Sequence, residues 1–125
     1  MERPSIERRA SIRNIAEVPW DELPGHHGGA LSKLLVHPDT TGARQLDHRI
    51  SCYAPKAQVA LHSHKVQEQV YHVLEGEGLM TIGDERRVVR RHDVVFLPPG
   101  IPHALENTGT TNLVFIVVTA PVSDE

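Results

Sequence analysis

The segment "LHSHKVQEQVYHVLEGEG" (61–78) places two histidines one residue apart before an alternating apolar stretch closed by glycines. If the segment is β-structure, His62 and His64 project from the same face of the strand, close enough for both imidazoles to grip one cation. The surroundings favour strands. From Leu31 onward, short apolar runs rich in Val and Ile follow one another: "LSKLLV", "QLDHRISCY", "AQVALH", "QVYHVLE", "LMTI", "RVVR", "VVFL" and "NLVFIVV". They have strand length, and no helix-length amphipathic segment interrupts them. Gly83-Asp84 suits a tight hairpin between "LMTI" and "ERRVV", and "PPG" at 98–100 puts Pro and Gly where a type II turn wants them. So many short strands with close turns predict an all-β sandwich or small barrel.

Composition narrows the partners. A chain of 125 residues, 39% hydrophobic and 23% charged, with no run of 18 apolar residues, is expected to form one core and no membrane span. The N-terminal "MERPSIERRASIRN" lacks the apolar stretch of a secretory signal, so a cytoplasmic location is expected. A formal charge of −3, scattered Lys and Arg and few aromatic residues argue against nucleic acid as a partner. The one cysteine, Cys52, excludes an intramolecular disulfide and a Cys-based zinc site. Histidine is the unusual residue, with nine copies.

Further along, the chain resembles the cupin superfamily in both of its signature motifs. In the first (Gly, five residues, His-x-His, three or four residues, Glu, six residues, Gly), His62, His64 and Gly76 match, and Lys56 stands in place of the opening Gly. In the second (Gly, five residues, Pro-x-Gly, two residues, His, three residues, Asn), Pro98, Gly100, His103 and Asn107 match, with His92 in place of the Gly. The resemblance implies a double-stranded β-helix, a jelly-roll barrel over residues 31–125 behind an N-terminal arm of residues 1–30. It also implies one divalent transition metal ion (Zn, Ni, Mn, Fe, Co or Cu) held by His62, His64, His103 and the residue at the Glu position.

Counting six residues back from Gly76 reaches Gln69, not Glu68. If Gln69 faces the metal, Tyr71 and Val73 share its face and Glu68 takes the other, so only a bulge would bring Glu68 in. A neutral amide leaves the metal about one charge unit more positive than a carboxylate would, which favours Lewis-acid over oxidative chemistry. The resemblance points the same way, towards monocupin lyases, cyclases and isomerases acting on an oxygenated small molecule. An iron or nickel dioxygenase and a non-enzymatic ligand-binding cupin are the alternatives.

A proton carrier is also needed. The apolar face of "QLDHRISCY" comprises Leu46, Ile50 and Cys52, and His48 lies on it. Should that face line the barrel, His48 is a candidate general base or additional ligand, and otherwise a core histidine, with Arg49 and Tyr53 left at the surface or an interface. His26 and His27, among glycines, read as a solvated loop or as one that folds over the barrel mouth. The arm, with Ile15, Trp20 and Leu23 to bury, is expected to join the barrel sheets in a homodimer, which light scattering tests.

Overall fold

The alternation in the sequence becomes alternation of burial. Along "LVFIVVTA" (113–120) the odd-numbered residues are buried and the even-numbered ones half-buried, as in a strand with one face in a core. The computed structural model describes residues 6–125, so the first five residues of the expected arm lie outside the described residues. In chain order its elements are β1 (His26–His27), β2 (Ala30–Val36), α1 (Pro38–Thr41), β3 (Asp47–Tyr53), β4 (Gln58–His62), β5 (Glu68–Glu75), β6 (Glu77–Ile82), β7 (Glu85–Arg90), β8 (Val94–Leu97), β9 (His103–Glu106) and β10 (Leu113–Ala120). Two antiparallel sheets result, ordered β2-β3-β10-β5-β8 and β1-β4-β9-β6-β7, the jelly-roll arrangement of the double-stranded β-helix. Between them lie Tyr53, Val73, Met80, Leu97, Leu105, Leu113 and Phe115, all almost fully buried. Each such side chain contributes about 1.5–3 kcal/mol through burial.

Every apolar run read from the sequence forms a strand. β9 was not among them, because "HALE" contains no β-branched residue; pairing with β4 on one side and β6 on the other overrides its weak propensity. β1 was also unexpected, and pairs with β4 through His26↔Val59. Before it, the chain runs beside β2. Asp21 and Ser32 exchange backbone hydrogen bonds, Val18 is buried, and Lys33 Nζ donates to the Ile15 carbonyl while sitting 4.8 Å over the Trp20 ring. Among the described residues no helix is long and apolar enough to cross a membrane.

The two glycines missing from the motifs have a backbone explanation. Lys56 (φ 74°) and His92 (φ 75°) are the non-glycine residues with positive φ among those described. They hold the left-handed conformation that the motif glycines would adopt without a Cβ penalty. That penalty is about 1–2 kcal/mol, partly offset by the larger unfolded-state entropy of glycine. Lys56→Gly and His92→Gly are each expected to raise stability by about 0.5–1 kcal/mol, read as a higher urea midpoint with an unchanged slope. A lowered midpoint in both would mean that side-chain contacts outweigh the backbone cost.

Candidate metal centre

Strand pairing assembles the histidines. His62, the last residue of β4, sits directly opposite His103, the first of β9. Their rings are 4.3 Å apart between centroids, and the His64 ring, just past the end of β4, lies 5.1 Å from His62 and 5.6 Å from His103. One ring nitrogen of each lies within 4.8 Å of the others.

The hydrogen bonds decide which nitrogen is offered. His62 Nδ1 donates to the Ala60 carbonyl (2.6 Å), His103 Nδ1 to the Ile101 carbonyl (3.0 Å), and His64 Nδ1 to the Asp124 carboxylate (2.9 Å). Carbonyl and carboxylate oxygens only accept, so each Nδ1 carries the hydrogen and each neutral ring keeps its lone pair on Nε2. The Nε2 atoms of His64 and His103 are buried and have no hydrogen-bond partner.

Gln69 follows the same logic. It is 9% exposed, shares the buried face of β5 with Tyr71 and Val73, and lies opposite Thr119 of β10, whereas Glu68 is exposed. Its Nε2 donates to Thr119 Oγ1 at 3.1 Å, while its Oε1 is buried without a partner. Unpaired buried acceptors are costly and rare in native proteins. Two imidazole nitrogens and an amide oxygen left that way, beside a third imidazole, form a donor set that a divalent transition metal would satisfy.

A cavity of about 410 Å³ opens beside these residues, and His62, His64 and Gln69 are part of its wall. The opposite wall corrects the reading of β3. Asp47, Arg49, Ser51 and Tyr53 line the cavity, whereas His48 lines a separate depression with Ile15, Val18 and Ile116, on the outer side of the sheet. His48 therefore does not share the cavity with the other histidines. The inference failed because apolar residues also lie on the outer face of β3, where Ile50 and Cys52 alternate with His48 and the chain around Val18 borders the same depression, while the inner face carries the polar Asp47, Arg49 and Ser51 into the cavity. Of the two readings of the histidine pair, the structure favours the one at the barrel mouth for His26, which lines the cavity with its Nδ1 donating to the Pro24 carbonyl at 3.0 Å.

Charge in the cavity is organised around Arg49. Its Nε donates to Asp47 Oδ1 at 3.0 Å, and its Nη2 donates to Asp47 Oδ2. Burial pushes the Tyr71 phenol up to about 12 despite Arg49, and burial together with Tyr71 holds the Tyr53 phenol higher still. Both phenols thus keep their protons at physiological pH and offer an O–H to the cavity. Neither Asp124 nor Thr119 was singled out from the sequence. Asp124 lies 60 residues from His64, and nothing local marks it as that ring's partner.

Burial also pushes His103 down to about 4, helped by His62 and His64 against the Ile101 carbonyl, and it lowers His62 as well. The unfolded chain, with histidine near ~6.5, therefore takes up these protons first. Stability of the metal-free protein is expected to be full above about pH 6.5 and to fall as pH drops towards 4, by on the order of 2 kcal/mol through His103. Urea midpoints measured at pH 7.5 and 4.5 in the presence of chelator check this. Equal midpoints would contradict it.

Comparisons with known proteins agree with the architecture. The cupin domain family model matches residues 49–119. An uncharacterized protein of Methanocaldococcus jannaschii is 30% identical over 109 residues, covering 86% of this chain and 87% of that protein. The oxalate-binding protein of Thermotoga maritima is 36% identical over 64 residues, 51% of this chain and 53% of that protein. Among solved structures, the polyketide cyclase RemF from Streptomyces resistomycificus superposes with a TM-score of 0.80 at 22% identity, covering 92% of this chain and 81% of that one. A predicted oxalate decarboxylase from Thermotoga maritima gives 0.79 at 24% identity, covering 88% and 98%. At such identities the superpositions speak for the fold alone. Together with the family model, which spans more than half of the residues, they show that this chain belongs to the cupin domain family.

Proposed function

We propose that the protein is a metal-dependent enzyme of the lyase, cyclase or isomerase type, acting on a small oxygenated molecule in the cavity beside the histidines. The observation that carries this is the convergence of unpartnered buried acceptors, His64 Nε2, His103 Nε2 and Gln69 Oε1, next to His62. These four residues would hold the divalent ion, which when bound supplies a Lewis acid for substrate oxygens. The ligand atoms are neutral, so the ion keeps more of its charge than a carboxylate ligand would leave it, which suits stabilising a developing oxyanion.

The chain's own residues supply the rest. Arg49 spends its Nε and one Nη2 hydrogen on Asp47 and keeps three N–H donors, enough to orient a polar substrate from the far wall. The neutral Tyr53 and Tyr71 phenols can donate to substrate oxygens. His26, with Nδ1 bound to Pro24, has Nε2 as its basic nitrogen and takes the proton-carrying role first expected of His48. The aromatic contacts Tyr53–Phe115 and Tyr71–Phe115 stiffen the floor beneath them.

The likeness to an oxalate-binding protein favours a second reading, in which the cavity binds a small carboxylate without transforming it. Assay of a panel of carbonyl compounds, polyphenols and small carboxylates, under air and under nitrogen, separates these. Turnover that is lost with chelator and indifferent to dioxygen supports the first reading, and binding without turnover supports the second. Oxygen-dependent turnover would overturn both in favour of an iron or nickel dioxygenase.

A further inference from the structure

The three histidines are not anchored alike. His62 and His103 each donate Nδ1–H to a carbonyl two residues back, Ala60 and Ile101, so their orientation comes with their strands. His64 lies beyond the end of β4, where its carbonyl accepts from the Gly100 amide at 2.7 Å but no neighbouring carbonyl orients the ring, and its Nδ1 reaches Asp124, 60 residues away in the segment after β10. The two carboxylate oxygens of Asp124 divide the work. Oδ2 accepts from His64 at 2.9 Å, while Oδ1 accepts from the backbone amides of Val66 and Gln67, both at 3.0 Å. Gln67 answers with its Nε2 donating to the Pro121 carbonyl at 3.0 Å, and Val122 borders the cavity.

We propose that Asp124 is a positioning residue for the metal centre: it locks His64 in the Nδ1–H tautomer with Nε2 free, so docking of residues 121–124 and metal binding favour each other. This rests on the metal reading above for its second half, but the tautomer lock stands on the hydrogen bonds alone. The coupling is reciprocal by linkage. Whatever the docked segment adds to metal affinity, bound metal adds to the docking of the segment.

Asp124→Asn separates the two oxygens. The remaining Oδ1 can keep the Val66 and Gln67 amides, which places the Nδ2 donor against His64. His64 must then accept at Nδ1, and its hydrogen moves to Nε2, where it blocks the lone pair. Turning the amide over would instead set its NH₂ against two backbone N–H groups.

Two measurements test this. In metal-free protein labelled with ¹⁵N-histidine at pH 8, long-range ¹H–¹⁵N spectra should show His64 as the Nδ1–H tautomer in the wild type and as Nε2–H in Asp124→Asn. Competition with a chromophoric chelator should show Zn²⁺ affinity reduced about 10–100-fold in Asp124→Asn, the usual effect of losing a carboxylate behind a ligating imidazole. The urea midpoint of the metal-free variant should stay near that of the wild type. A wild-type His64 found as Nε2–H overturns the proposal without any variant, as does a variant with unchanged tautomer and Zn²⁺ affinity within twofold. Failure of the wild type to bind Zn²⁺, Ni²⁺ or Mn²⁺ would count against the metal reading, while the wild-type spectrum would still decide the tautomer lock.

Discussion

His103→Ala is expected to lower divalent metal affinity by about 10²–10³-fold, one ligand's share of a binding free energy on the order of 10–16 kcal/mol spread over four ligands. The effect should be large because His103 is the deepest of the three imidazoles, 1% exposed and cross-strand to His62. Fold loss should not explain the result. The substitution removes the buried Nε2 that has no partner in the metal-free protein, which offsets part of the cavity cost. Competition with a chelator for Zn²⁺ or Ni²⁺ reads the affinity, and a urea melt of the metal-free variant verifies folding. A folded variant that binds within threefold of the wild type would remove His103 from the site.

The second large effect is expected at position 69. Gln69→Ala should weaken metal binding about tenfold or more as the amide oxygen is lost, whereas Glu68→Ala should leave metal content near wild type. Gln69 is on the buried face of β5 with Oε1 unpartnered, and Glu68 is exposed on the opposite face. Within a regular strand both cannot reach one ion. Register shifts occur elsewhere, in the β4–β9 and β10–β5 pairings, but the latter falls between Val114 and Phe115, far from Gln69↔Thr119. Gln69→Glu should keep the metal and add a negative charge, slowing non-redox turnover at full occupancy. Metal lost in Glu68→Ala and kept in Gln69→Ala would reverse the assignment.

Much of this architecture was legible in the sequence because periodicity and turn chemistry are local. The alternation in "QVYHVLE" predicted which residues of β5 share a face, and Gly83-Asp84 does form the two-residue link between β6 and β7, with Ile82 paired to Glu85. Motif spacing alone groups His62, His64 and His103. The face of β3 was not legible. Asp47, Arg49 and Ser51 are polar and so resemble a solvent face, yet they line the cavity, while His48 and Cys52 face outward. A hydrophobic count assumes that inside means apolar, and that assumption fails where the inside is a binding cavity. Asp124 was illegible for a different reason. Its hydrogen bond to His64 spans 60 residues, and only the closed barrel brings the segment after β10 back to the mouth. The glycine positions of the motifs mark a third limit, since Lys56 and His92 keep the left-handed backbone without the residue that advertises it.

The central claim is that four neutral side chains in this cupin barrel hold one divalent ion. Elemental analysis of protein purified without added metal, alongside the Gln69→Ala and His103→Ala variants, tests it most directly. The account predicts about one equivalent of a divalent transition metal per wild-type chain, removed by chelator and restored by dialysis, with far less retained by either variant. Wild-type protein that holds no metal, and whose melting temperature does not respond when Zn²⁺, Ni²⁺, Mn²⁺ or Fe²⁺ is supplied, would contradict it.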